Sequence, residues 1–137
     1  RAADAAARDA GLAGAWRLVA ELGFAPSMRE CANCHAGVPV TASAAFSHPA
    51  GGTLCDPCAR TAGLRRFLPA EARTVLDAWL TGADAAAVDD SSARAHQRLL
   101  REFLREHLTD GRPLRAFEAW EGNRWSTPAH APEPLGA

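Results

Sequence analysis

The four cysteines of the chain form two pairs, and two residues separate the members of each pair. The pairs are Cys31-Ala-Asn-Cys34 and Cys55-Asp-Pro-Cys58, with twenty residues between them. Two short turns of this kind direct two thiolates each toward one tetrahedral point, as in structural zinc sites. Since four sulfurs fill the coordination sphere, no position remains for a substrate, and we expect no enzymatic activity. The predicted ligands of one structural Zn²⁺ are Cys31, Cys34, Cys55 and Cys58.

Other uses of these cysteines remain open at this point. Two disulfide bonds would suit an oxidising compartment, but no signal peptide is visible. A redox-active pair would leave the second pair unexplained. The run Cys31-Ala-Asn-Cys34-His35 also matches the attachment sequence of a c-type haem, which would leave Cys55 and Cys58 without a role. A zinc nucleobase deaminase requires a His-x-Glu sequence, and none occurs.

The composition narrows the class of partner. The chain has 137 residues and a net charge of -1, and all fifteen of its basic residues are arginine. This balance excludes a uniformly basic nucleic-acid binder but leaves room for a local basic patch. No apolar run approaches the roughly 20 residues of a membrane span, so we expect no membrane partner, and since no signal peptide is visible we expect a cytoplasmic protein.

Apolar periodicity predicts helices on both sides of the cysteine segment. A first helix ends at Gly23 and has an apolar stripe of Leu12, Trp16 and Val19, bordered by Leu18 and Leu22. Later helices are expected from Pro69 to about Gly82, with Leu68 in the apolar stripe, and from a cap at Ser91 or Ser92 to about Leu108.

The segment between these helices contains two short strand-like runs, 38–41 and 44–47, followed by a turn at 48–52. The expected fold is therefore mainly α: a small helical bundle with an inserted four-cysteine zinc ribbon that contains a short β-hairpin. The predicted parts are the N-terminal helix of the helical domain (1–26), the zinc ribbon (27–60), the rest of the helical domain (61–120) and a disordered tail (121–137).

Four arginines recur on the last predicted helix at steps of four, three and four, within a stripe about 60° wide. A row of guanidiniums can bind phosphates or an acidic peptide, whereas a solvated face edged by Glu102 and Glu106 is the plainer alternative. His96 and His107 fall on the opposite side, where we expect core or boundary positions. The arginine face comprises Arg94, Arg98, Arg101 and Arg105, and Arg112 and Arg115 extend it.

Several runs combine into a more specific pattern. Trp16 to Pro26 leads into the first cysteine pair, and Phe46-Ser-His-Pro-Ala-Gly-Gly precedes the second. Leu-Pro-Ala-Glu then starts a helix at 68–71, and Leu-Arg-Ala-Phe lies at 114–117. In these runs the chain resembles the C-terminal region of RecO, a bacterial recombination mediator of DNA repair.

The resemblance implies a non-enzymatic protein of the RecF pathway that binds single- and double-stranded DNA, anneals strands and helps to load recombinase. It implies two protein partners: a RecR-like protein and the acidic C-terminal tail of the single-stranded-DNA-binding protein. It also implies association with the nucleoid and an N-terminal OB-fold domain ahead of Arg1. The alternative from another class is a zinc-ribbon docking adaptor without direct DNA contact.

Overall fold

The structure is a computed structural model that describes residues 2–108 of the chain. The helices are α1 (Ala2–Glu21), α2 (Asp56–Ala62), α3 (Ala70–Thr81) and α4 (Asp90–His107). The strands are β1 (Ala44–Ser47), β2 (Gly52–Leu54) and β3 (Phe67–Leu68). The prediction of a mainly α fold with a small sheet and a cysteine ribbon is confirmed. No helix between residues 2 and 108 has the length and apolarity needed to cross a bilayer.

The main core lies where α1 packs against α3 and α4. As predicted, Leu12, Trp16 and Val19 are buried, and the Trp16 ring lies 5.4 Å from that of Phe103 on α4. Leu18 was expected beside this stripe but is 56% exposed, because about 200° of helical rotation separates it from Trp16. Leu22 is equally exposed, since it follows the last residue of the helix. The rest of this core comes from Met28, Leu76, Trp79 and Leu100.

The helix ends follow local chemistry. Gly23 and Gly82 have positive φ values of 87° and 85° and follow α1 and α3, as predicted. The predicted cap of α4 is wrong, because Asp89 occupies that position and its carboxylate accepts a hydrogen bond of 2.7 Å from the backbone N–H of Ser92. An aspartate caps a helix as well as a serine does, and its charge also suits the positive end of the helix dipole.

The strand pairing differs from the prediction. β1 pairs with β2 across the turn at 48–51 and with β3 on its other side, so the order is β2-β1-β3 and every pair is antiparallel. Residues 38–41 form no strand. Pro39 has no N–H to donate, and its carbonyl accepts from a side chain instead of a strand. Leu68, expected in the helical stripe, belongs to β3.

Gly52 allows the segment before the first cysteine pair to lie against β2. Its φ is +147°, and a Cβ at this position would lie 2.4 Å from the backbone nitrogen of Ser27. Two backbone hydrogen bonds form at this close approach: the Ser27 N–H donates to the Gly51 carbonyl at 2.9 Å, and the Thr53 N–H donates to the Ser27 carbonyl at 2.8 Å. The two cysteine turns are thereby brought side by side.

Candidate metal centre and nucleic-acid interface

The four predicted cysteine ligands converge on one point. Their sulfur atoms all lie within 4.8 Å of one another, and the sulfurs of Cys34 and Cys55 are 3.6 Å apart. A tetrahedral zinc with Zn–S bonds of about 2.3 Å requires sulfur separations of about 3.8 Å, so the donor set fits this metal. The 3.6 Å separation is far longer than a disulfide bond of about 2.0 Å. The convergence also gives both pairs a role, which a haem attachment at the first pair alone does not.

The first cysteine turn is closed by its own backbone. His35 has a φ of 66° and donates to the carbonyl of Cys31 at 3.0 Å, and the N–H of Cys31 donates to the Ala36 carbonyl at 2.7 Å. The backbone N–H groups of Asn33 and Cys34 lie 3.4 and 3.5 Å from the Cys31 sulfur, which is buried. Hydrogen bonds of this kind stabilise a thiolate.

The second cysteine turn is the start of α2. Cys55 occupies the N-cap position with extended backbone, Pro57 lies in the first turn, and Cys58 follows it. The side-chain amide of Asn33 donates to the Cys58 sulfur at 3.3 Å and so connects the two turns. Sequence reasoning missed this contact, although a hydrogen-bond donor between two ligands was visible as a signal.

The pKa values of the Cys31 and Cys34 thiols are shifted in opposite directions. Burial alone would raise the pKa of Cys31, but hydrogen bonds from backbone N–H groups outweigh it and lower that pKa to about 6. The Ala36 N–H favours the thiolate of Cys34, yet the neighbouring sulfurs of Cys55 and Cys31 outweigh it and raise the pKa of Cys34. Such crowding of like charges is relieved by a bound dication. A bound zinc would cross-link the two turns and leave no coordination position for catalysis.

Arg73 of α3 supports the ribbon from outside it. The residue is fully buried, and its guanidinium donates to the carbonyl of Ala42 at 2.7 Å and to the hydroxyl of Thr53 at 3.4 Å. It also donates to the backbone carbonyls of Met28 and Pro39. Sequence reasoning missed this role, although a position three residues before the buried Leu76 lies on the inner face of α3.

The hairpin turn of the ribbon contacts α4. The Nε2 of His48 lies 3.1 Å from a carboxylate oxygen of Glu102, and the Nε2 of His107 donates to the His48 carbonyl at 2.7 Å. The Phe46 and Phe103 rings lie 6.2 Å apart beside these bonds. Glu102, expected at the edge of a solvated face, thus contacts the ribbon. His96 is buried beside Trp79 and His107 is partly buried, as predicted.

The structure places the four arginines of the arginine face on α4. Arg94 and Arg98 are exposed, and between residues 2 and 108 no carboxylate lies within 4.0 Å of either guanidinium. Arg101 and Arg105 are partly buried. Arg112 and Arg115 lie outside the described residues. Binding of DNA or a partner by these six residues therefore stays a prediction.

Comparison with known proteins identifies the family. A family model described as "Recombination protein O C terminal" matches residues 3–116, which include the whole ribbon and nearly all of the four helices. No solved structure matches the chain. The chain therefore belongs to the family of RecO C-terminal domains, whose proteins are mediators of recombination and repair and are not known enzymes.

Proposed function

We propose that this chain is the helical and zinc-ribbon part of a RecF-pathway mediator that binds single- and double-stranded DNA. In this proposal it promotes strand annealing and recombinase loading in the cytoplasm, with a RecR-like protein and the tail of the single-stranded-DNA-binding protein as partners. The observation that carries the proposal is the exposed pair Arg94 and Arg98 on one face of α4, in a chain of the RecO family.

The electrostatics favour a local rather than a general attraction for DNA. The net charge is only -1, so a phosphate backbone must be met by a cluster of uncompensated cations. Arg94 and Arg98 are one helical turn apart, which places their guanidiniums within reach of neighbouring phosphates. Most hydrogen bonds to DNA go to the backbone, so this surface supports binding without sequence preference.

In this proposal the zinc stabilises the ribbon, and the ribbon helps to hold α4. A zinc bound by Cys31, Cys34, Cys55 and Cys58 would fasten both ends of the hairpin. The hairpin turn contacts α4 through His48 and Glu102 at 3.1 Å, four residues beyond Arg98. Structural zinc contributes roughly 10–16 kcal/mol of apparent binding free energy, so its loss should weaken the ribbon first and the arginine face after it.

The arginine face is tested by the double variant Arg94→Ala and Arg98→Ala. Affinity for labelled single- and double-stranded oligonucleotides is measured by fluorescence anisotropy over a series of salt concentrations. The magnitude of the slope of log K against log salt should fall by about 1.4 for single strands and about 1.8 for duplexes. The charge-matched control is Arg17→Ala with Arg29→Ala, which removes two exposed arginines outside α4. An equal loss in the control, or unchanged slopes in both, would contradict the assignment.

The metal is tested on protein purified without chelators. Elemental analysis should find about one zinc per chain, and the variant Cys55→Ser with Cys58→Ser should lose it, since two ligands are too few for a closed site. Thermal unfolding should occur at lower temperature in this variant. Wild-type protein that contains no zinc, with its thiols oxidised to disulfides in fresh lysate, would refute the metal assignment.

The docking adaptor remains a second candidate, because a groove of about 490 Å³ lies beside the second cysteine turn. Its lining is largely apolar and includes Ala50, Leu54 and Ala62. The variant Ala62→Glu places a charge in the groove without touching a cysteine. Loss of binding to a RecR-like protein with unchanged DNA affinity would favour the adaptor function for this part of the chain.

A further inference from the structure

We propose that Arg65, Arg66 and Phe67 form a second contact for single-stranded DNA, separate from the arginine face and next to the zinc ribbon. Phe67 stacks against a base, and the two guanidiniums bind the flanking phosphates. The proposal rests on the proposed DNA-binding function and adds to it a site on a different element.

The segment is held in place at both ends. Gly63 ends α2 in the left-handed conformation, and Leu64 then donates to the Ala59 carbonyl at 3.0 Å and packs against the apolar core of the ribbon. Phe67 pairs with Ala45 in the sheet. Only Arg65 and Arg66 lie between these two anchors, so their positions are largely fixed before any ligand binds, which lowers the entropic cost of binding.

The charge of this segment is not compensated. No acidic residue occurs from Pro57 to Ala70. Arg65 and Arg66 are exposed, and in the part of the chain that the structure describes no carboxylate lies within 4.0 Å of them. Arg29, also near the ribbon, differs because it pairs with Asp77 at 2.9 Å.

The charge of the zinc site also bears on whether Arg65 and Arg66 can bind an anionic ligand. Four thiolates around one Zn²⁺ carry a formal charge of about -2. Arg60, which is exposed and lies two residues after Cys58, is well placed to offset part of it. Arg65 and Arg66 lie beyond the end of α2, seven and eight residues after Cys58, and the proposal assigns them to the anionic ligand.

The aromatic residue favours nucleic acid over an acidic peptide. Phe67 is 50% exposed although it lies in a strand, so about half of the residue meets solvent. A protruding ring beside cations suits base stacking, whereas a peptide side chain needs a concave slot. Strand addition by a peptide is also disfavoured, because β3 has only two residues and Pro69, which has no N–H, follows it.

The test uses the intact 137-residue chain loaded with zinc and a labelled oligo(dT). Arg65→Gln with Arg66→Gln should reduce the magnitude of the salt slope by about 1.4. Phe67→Leu keeps an apolar cover for the sheet but removes the π face, so affinity should fall roughly 5- to 150-fold with an unchanged salt slope. Phe67→Trp should retain affinity, and its added indole fluorescence should be quenched by oligo(dT).

Matched variants separate this site from a general loss of charge and from a loss of folding. Arg29→Gln removes an exposed arginine that is already paired, so its salt slope should match that of the wild type. Zinc content and thermal unfolding report whether each variant is folded. If Phe67→Leu fails to fold, the arginine variant and the quenching of Phe67→Trp decide the question.

Three results would overturn the inference, and they are distinguishable. If the variants at 65–67 bind like the wild type while Arg94→Ala with Arg98→Ala does not, the proposed function stands and this site is wrong. If the wild-type chain binds no DNA at all, both proposals fail. If the variants at 65–67 lose affinity only for an acidic peptide that ends in Phe, the surface is a peptide site.

Discussion

The buried arginine of α3 offers the sharpest test of how the ribbon is held. Arg73 donates to three backbone carbonyls, those of Met28, Pro39 and Ala42, from a position with no solvent exposure. Replacing it by methionine keeps much of the length of the side chain and removes every donor. The carbonyls of Met28 and Ala42 then lose the arginine as their partner, whereas the Pro39 carbonyl still accepts from the Ala42 N–H at 3.2 Å.

The expected cost follows from these three bonds. Each buried carbonyl left without a partner costs about 1–3 kcal/mol of stability. Part of this loss is offset, because the variant no longer has to bury a charged guanidinium. We therefore expect Arg73→Met to lower the free energy of unfolding by about 3 kcal/mol, a large part of the roughly 5–15 kcal/mol of a typical domain. The free energy of unfolding of Arg73→Lys should lie between those of the wild type and Arg73→Met, since one compact ammonium cannot replace the planar set of donors of a guanidinium.

Urea unfolding of the zinc-loaded protein, followed by circular dichroism, measures this difference. The matched control is Arg17→Met, because Arg17 is exposed and, within residues 2–108, its side chain makes one hydrogen bond, of 3.2 Å to the Gly82 carbonyl. The control should stay within about 0.5 kcal/mol of the wild type. If Arg73→Met also unfolds within about 1 kcal/mol of the wild type, the carbonyls have other partners and the reasoning is wrong.

Two further predictions concern the backbone of the ribbon and the pH dependence of the core. Gly52→Ala should lower the melting temperature and zinc retention together, since its Cβ would lie 2.4 Å from the Ser27 nitrogen; the matched variant Gly14→Ala, where nothing lies within 4 Å, should do neither. Burial lowers the pKa of His96 to about 4, from 6.5, so the folded state resists protonation and stability is lost as the pH falls from 6.5 toward 4. The loss between pH 6.5 and 5 should be about 1.5 kcal/mol, because the slope rises to about 1.36 kcal/mol per pH unit only below pH 6.5, and His96→Phe should remove it. An equal decline in both proteins during urea unfolding would show that other groups are responsible.

The cysteine cluster and the core of α1 were predictable because both depend on short spacings. Two residues between the cysteines of a pair let both sulfurs reach one metal ion, in a turn as at Cys31 and Cys34 or at a helix start as at Cys55 and Cys58. Likewise, Leu12, Trp16 and Val19 share one helical face in any helix, and a partner surface only has to cover it. Predictions from such short spacings hold in the folded protein because they do not depend on distant parts of the chain.

The strand pairing and the role of Arg73 were not predictable from local patterns. Val38 and Val40 suit a strand, but the carbonyl of Pro39 between them accepts from Arg73, thirty-four residues away. No residue near Pro39 in the sequence indicates that Arg73 will donate to its carbonyl. An arginine on a helix is usually exposed, so its burial depends on unpaired carbonyls that only the folded ribbon presents.

The position of Arg73 has a consequence for how the metal is retained. The carbonyls that accept hydrogen bonds from Arg73 belong to Met28, which precedes the first cysteine turn, and to Pro39 and Ala42 in the loop after it. Because these attachments involve no sulfur, we expect them to persist when the ion is lost, while the two cysteine turns loosen. Rebinding of zinc would then require only these turns to reorder between segments that Arg73 already holds in place.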